Sequence, residues 1–214
     1  EKKLQLFFNN TSMKNLKPIT IKNKDDFDLV REKAAKLASE QEPLDIDYGK
    51  VLIDHAFPVK GIGTVTLGLV QGTIHAGEMY ELLPVKEKAK KIVLKTIQKH
   101  DRNFKVAYPG DRVGLALKGV KPDEIDRTTI FASPGELSTT KQATGELEVS
   151  PFYKPTLGKV SPKDTTKYHL IADLGVSPFE ITSGDEIAPS KKGKIDLKLD
   201  KTLPHDSRGL KGIV

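Results

Sequence analysis

The sequence predicts a mainly β protein in which a short β–α segment precedes successive groups of antiparallel strands. Three observations carry this prediction. From Tyr48 onward, short apolar runs rich in β-branched residues recur between turns containing Gly or Pro. A helical apolar period falls in one place, between Asp25 and Gln41. The 214 residues include 17 Gly and 13 Pro, which suit many turns, and the 37% hydrophobic content is enough for compact cores and too much for a disordered chain.

Residues 1–45 form the first region. The apolar run from Leu4 to Phe8 reads as a short strand, and Pro18-Ile19-Thr20-Ile21 as another. Phe27, Val30, Ala34 and Leu37 then fall at helical spacing. Asp25 and Asp26 suit the positive end of the helix dipole, Glu32 and Lys36 are spaced for an i,i+4 ion pair, and Pro43 helps to stop the helix. Asn23-Lys24-Asp25-Asp26 spells N-K-x-D, the guanine-reading pattern of GTPases, but it equally spells a helix start with Asp near the cap. No G-x-x-x-x-G-K-[ST] sequence is present to cradle phosphates or place Mg²⁺. These residues are therefore not expected to hydrolyse GTP; GTP and Mg²⁺ would enter only with an upstream nucleotide-binding domain.

Residues 46–136 read as a closed antiparallel barrel of short strands. Val51-Leu52-Ile53 is one strand, followed by a bend at Gly61-Ile62-Gly63. Along Thr64–Val70, Val65, Leu67 and Leu69 lie on one face and Thr64, Thr66, Gly68 and Val70 on the other. Ile74 precedes a turn at Ala76-Gly77-Glu78, and Met79–Leu83 is a strand ending at Pro84. A charged loop from Lys86 to Lys91 leads into a strand over Ile92–Gln98. Pro109-Gly110-Asp111 is a turn before Arg112–Lys118, where Val113, Leu115 and Leu117 share a face that Arg112 points away from. Gly61 and Gly63 suit a tight corner, and Gly72 and Gly110 suit turns.

Ser138-Thr139-Thr140 reads as a polar linker opening residues 137–214. Strands are expected near Glu146–Val149, Lys167–Ala172, Phe179–Thr182 and Lys194–Asp200, the last with Ile195, Leu197 and Leu199 on one face.

The composition restricts the chemistry. With no Cys there is neither a disulfide framework nor a thiolate metal site, which fits a cytoplasmic location. No run of about 18 apolar residues predicts a membrane-spanning helix. The chain starts at Glu1 without an initiator Met, which is compatible with a fragment of a longer protein. The five His, at 55, 75, 100, 169 and 205, form no metal-binding spacing. The net charge of +6 suits a phosphate-backbone partner, and equally a merely soluble, Lys-rich surface.

Several blocks in order carry a resemblance to a known family. Ile53-Asp54-His55-Ala56-Phe57-Pro58-Val59-Lys60-Gly61-Ile62-Gly63-Thr64-Val65 resembles the opening of the second domain of translational GTPases. Gly68–Ile74, Ala76-Gly77-Glu78, Lys95–Gln98, Ala107–Leu115, Lys118-Gly119-Val120 and Asp123–Arg127 continue it. Residues 137–214 resemble, more loosely, the third domain, with Arg208-Gly209-Leu210-Lys211-Gly212-Ile213 like its last strand. The resemblance implies two consecutive antiparallel β-barrels of the translation-factor type, with residues 1–45 like the end of a GTPase domain. Arg112 tilts it from general factors such as elongation factor Tu towards SelB-type selenocysteine-specific elongation factors.

In those factors, positions like Asp54, His55 and Arg112 line the pocket for the aminoacyl end of tRNA. The chemistry is reasonable, since a selenol is largely ionised near neutral pH and Arg and His favour an anion. Neighbouring strand residues point to opposite faces, so Asp54 and His55 share a pocket only at a strand end or a bulge. The alternative is structural: a hydrogen-bonded Asp54, a partly buried His55 and a surface ion pair at Arg112. The implied partners are aminoacyl-tRNA and the ribosome, with Lys159, Lys163, Lys167 and Lys191-Lys192 as phosphate contacts or as an ordinary solvated face. A monomer is expected, since a closed barrel leaves few free edges. The rival function is a non-catalytic module docking on the ribosome or on other translation factors.

Overall fold

A computed structural model describes residues 2–9, 11, 13–15, 18–41 and 46–214. The chain divides into two compact units, residues 1–42 and 43–214. The fold class is mainly β, with a closed barrel and a further antiparallel sheet.

The first unit departs from the expected β–α pattern. Leu4–Phe8 is helical, within α1 (Lys2–Phe8). The run Lys-Lys-Leu-Gln-Leu-Phe-Phe contains no β-branched residue and opens with strong helix formers, so propensity overrides its apolar alternation. Pro18–Ile21 forms no strand; an extended run without a strand partner gains no ladder bonds. The second helix, α2 (Asp26–Ser39), has no buried residue, and Phe27 and Leu37 are exposed. Its ion pairs are Arg31–Asp28 at 2.7 Å and Lys36–Glu40 at 3.9 Å, rather than the expected Glu32–Lys36. Pro43 lies outside the described residues. The N-K-x-D residues are spent on the helix start. Asn23 Oδ1 accepts from the amides of Asp25 and Asp26, while Asp26 Oδ2 accepts from those of Lys22 and Asn23.

The barrel strands are β1 (Lys50–Val59), β2 (Gly63–Gly72), β3 (Ile74–His75), β4 (Met79–Val85), β5 (Lys88–Lys99), β6 (Arg102–Phe104), β7 (Val106–Ala107), β8 (Arg112–Lys118) and β9 (Ile130–Ala132). The order β4-β9-β1-β2-β8-β5 returns to β4 through the β4–β5 pairing, which closes a six-stranded ring; β6 is appended to β5. The charged stretch expected as a loop is mostly strand, with the turn confined to Lys86 and Glu87 at positive φ. Lys90 and Lys91 pair with Leu82 and Glu81.

The buried face of β2 is its small and polar one. Thr64, Thr66, Gly68 and Val70 face inward, while Val65 and Leu67 are half-buried and Leu69 is exposed. The register explains this. Thr64, Thr66 and Gly68 stand opposite Leu117, Leu115 and Val113 of β8, all buried. The large β8 side chains occupy the interior there, so β2 contributes small ones. Thr64 Oγ1 donates to Val120 O at 2.6 Å, whereas Thr66 Oγ1 is buried without a partner. Gly61 and Gly63 turn the β1–β2 hairpin at φ +82° and +107°. Gly72 is required for a different reason from the turn expected of it: a Cβ there would sit 1.9 Å from the Tyr48 carbonyl oxygen.

The remaining strands are β10 (Ser138–Glu148), β11 (Tyr168–Ala172), β12 (Gly175–Gly184) and β13 (Lys192–His205), in the order β10-β13-β12-β11. Ser138–Thr140, read from sequence as a linker, is already strand and pairs with His205–Leu203. An Ile171↔Ile213 bridge brings the C-terminal residues onto β11. Phe179, Leu199 and Leu203 centre the core of this sheet. Between sheet and barrel, Leu52, Leu83, Ile130, Ala132 and Leu137 form a separate buried cluster. Polar contacts flank it: Tyr48 Oη donates to Asp206 Oδ2 at 3.0 Å, and Lys50 pairs with Asp173 at 3.2 Å.

Candidate functional site

Strand β1 carries the site because of a one-residue irregularity. Its partners on β2 run Ile53↔Gly68, then His55↔Leu67, so Asp54 is an extra residue with no opposite number. Such a bulge inserts one residue into the alternation and re-aims its neighbours. Ile53 is buried in the barrel core and Ala56 packs against it, while Asp54 and His55 both lie toward the surface. The steric objection to two adjacent residues sharing one site is thereby removed in mid-strand, not at a strand end.

Three bases surround the Asp54 carboxylate. His55 Nδ1 lies 3.0 Å from Oδ2, Arg112 Nη2 lies 3.2 Å from the same oxygen, and Arg127 Nη2 lies 3.2 Å from Oδ1. The Asp54 side chain is 26% exposed, against 59% for His55 and 70% for Arg112. Partial burial would raise the Asp54 pKa, but the hydrogen bond and charge of His55, with Arg127 and Arg112, outweigh it and hold the carboxyl below its ordinary value. Two guanidinium groups against one carboxylate leave a positive excess, and exposed Leu69 stands directly opposite Arg112 on the same outer face. The arrangement can accept an anion at the guanidiniums, an ammonium at Asp54 and an apolar stem along Leu69.

All three sequence-expected residues are therefore brought together, and His55 is exposed rather than partly buried. The Arg112–Asp54 pair is also the surface ion pair of the structural alternative. Arg127 is a member that sequence reasoning missed. The β1–β9 pairing, Leu52↔Ile130, carries the chain preceding Ile130 toward Asp54. That pairing is a tertiary fact, and no local motif at Arg127 announces it. Among the expected phosphate contacts, Lys159 and Lys163 pair with Glu186, and Lys192 with Glu146 and Glu148, as on an ordinary charged face.

Residues 63–132 match the family model described as elongation factor Tu domain 2. An uncharacterised protein of Methanocaldococcus jannaschii is 34% identical over 207 residues, covering 95% of this chain and 59% of that protein. The selenocysteine-specific elongation factor of the same organism is 30% identical over 212 residues, covering 96% of this chain and 42% of that protein. Two crystal structures of translation elongation factor SelB from Methanococcus maripaludis, one in the apo form and one with a GTP analogue, have TM-scores of 0.75 and 0.74. They are 23% and 22% identical, and the likeness covers 96% of this chain and 48% of theirs; at that identity it establishes the fold. The chain thus spans about half the length of the proteins it matches.

Proposed function

We propose, for a chain that carries an elongation factor Tu domain 2 and is related along its length to SelB-type elongation factors, that the Asp54 cluster holds the aminoacyl end of a charged tRNA. On this reading residues 46–136 act as the second domain of such a factor and residues 137–214 as the third. The observation that carries it is the bulge at Asp54, which turns Asp54 and His55 outward beside Arg112 and Arg127.

The geometry favours an anionic side chain on the aminoacyl group. Asp54 keeps the two guanidiniums together while the site is empty of ligand, and an arriving selenolate or carboxylate recruits their outward N–H groups. His55 adds a third donor when protonated, and Asp54 remains available to the α-amino group. The chain acts as a binder on this reading, and GTP hydrolysis would enter only with an upstream nucleotide-binding domain.

The test is direct binding of selenocysteinyl-tRNA, seryl-tRNA and uncharged tRNA at low and moderate salt. The selenocysteinyl form is expected to bind tightest. Arg112→Ala removes a charge-assisted hydrogen bond and is expected to weaken that binding about tenfold or more, with little effect on uncharged tRNA. Equal affinity for all three, unmoved by Arg112→Ala, would overturn the pocket and leave the barrels as a docking module.

A further inference from the structure

A second polar site lies in a cleft of ≈ 240 Å³ between barrel and sheet. Lys50, Gln71, Asp173, Arg208 and Lys211 line it. Three features set it apart from a solvent groove. Lys50 is the one charged residue in the buried set among the described residues, at 8% exposure. Its ammonium has three hydrogens to donate, and the structure gives it one partner, Asp173 Oδ2 at 3.2 Å. Gln71 Oε1 is buried with no hydrogen-bond partner.

The other charges narrow what would fit. Arg208 is occupied, its Nε donating to Asp206 Oδ2 at 3.0 Å. Asp173 is neutralised by Lys50, and Lys211 makes no ion pair among the described residues. The unspent groups include the ammonium donors of Lys50 and Lys211, with Gln71 Nε2 and Arg208 Nη1 as further donors, and two acceptors, Asp173 Oδ1 and the Gln71 amide oxygen, of which the Gln71 oxygen is buried without a partner. A ligand completing them accepts at two or more oxygens and donates from one. Hydrogen phosphate and protonated phosphate monoesters carry that pattern, because they present anionic oxygens and a P–O–H. Sulfate and phosphodiesters near neutral pH have the oxygens without the hydrogen. With a water occupying about 30 Å³, the cleft is roomy enough for a phosphate and part of an ester substituent.

We propose that this cleft binds a phosphate monoester or inorganic phosphate, with Lys50 and Lys211 donating to its oxygens and Gln71 Oε1 accepting from its P–O–H. A buried polar atom left without a partner is costly, so a ligand that satisfies Gln71 gains over one that does not. The site is separate from the Asp54 cluster and does not depend on the tRNA reading.

The test is isothermal titration of the 214-residue chain at about pH 5.5, below the second pKa of about 6 of a phosphate monoester so that its P–O–H is kept, with inorganic phosphate, sulfate, dimethyl phosphate and a nucleoside 5′-monophosphate. Phosphate or the monophosphate is expected to bind at least about tenfold more tightly than sulfate or the diester. Gln71→Leu should bring phosphate and sulfate to equal affinity, and Lys211→Ala, at an exposed position, should weaken both. Tighter binding of the nucleotide assigns the cleft to an ester, and equal or tighter binding of phosphate to the free anion. No binding of either at millimolar concentration, equal binding of sulfate, or a preference that survives Gln71→Leu would overturn the proposal. A rotated Gln71 amide, donating through Nε2, would give the equal-sulfate result.

Discussion

Asp54, held ionised by His55 together with Arg127 and Arg112, and Asp206, held ionised by Arg208, are carboxylates in different settings. Asp54 is partly open and surrounded by three bases, which is what the proposed binding role requires. Asp206 is closed in. Its side chain is 9% exposed and accepts from the Arg208 guanidinium, the Arg208 amide and Tyr48 Oη. The Arg208 hydrogen bond dominates, and it pulls Asp206 from 3.8 down to about 2 against the upward push of burial. Because the folded pKa is depressed, this group's stabilisation is complete above pH 3.8 and is lost as pH falls toward 2. It amounts to about 2 kcal/mol. Urea unfolding of the wild type between pH 2 and 6 should show this loss, and Asp206→Asn should flatten that part of the curve. The same Asp206 contact, after burial, pushes the Tyr48 hydroxyl up to about 12.

At the scale of elements, the bulge separates the site from the scaffold. Without Asp54, the β1–β2 ladder would run Ile53↔Gly68, His55↔Leu67, Ala56↔Thr66 with no break. Deleting Asp54 is therefore expected to leave the barrel folded, with Ile53 and Ala56 still inward. The midpoint of thermal unfolding should move by only a few degrees, while the aminoacyl-tRNA binding proposed above should be lost. A circular dichroism melt paired with the binding assay checks both halves, and collapse of the fold would contradict the register.

The same scale shows what could be read from sequence. Val113, Leu115 and Leu117 announced the strand over Arg112–Lys118, and its ends agree with β8. The interior of β2 could not be read that way. Thr64 and Thr66 look like a solvent face until Leu117 and Leu115 are known to stand opposite them. Leu4–Phe8 is five residues long, too short for periodicity to separate strand from helix. Asp54, His55 and Arg112 were visible through their resemblance to a family, whereas Arg127 required the pairing of β1 with β9.

For the molecule as a whole, residues 46–214 carry two main cores joined by a third. Leu52, Leu83, Ile130, Ala132 and Leu137 are buried between barrel and sheet, flanked by the Lys50–Asp173 pair and the Tyr48–Asp206 hydrogen bond. Separating the two would expose that apolar cluster and leave Lys50 and Asp173 unpaired. Barrel and sheet are accordingly expected to unfold together. Scanning calorimetry should show one transition for them, and Leu137→Asp should split it or lower it by several degrees. Two well-resolved transitions in the unaltered chain would mean that the shared cluster contributes little.

The bulge at Asp54 also has a genetic side. A site that depends on one supernumerary residue in a strand can be gained or discarded by inserting or removing a single codon. The rest of the reading frame, and the core it encodes, would be untouched. Under the proposed function, selection on the ligand and selection on the fold can then act on this protein almost independently, and lineages that dispense with the ligand should lose that codon before they lose the barrel.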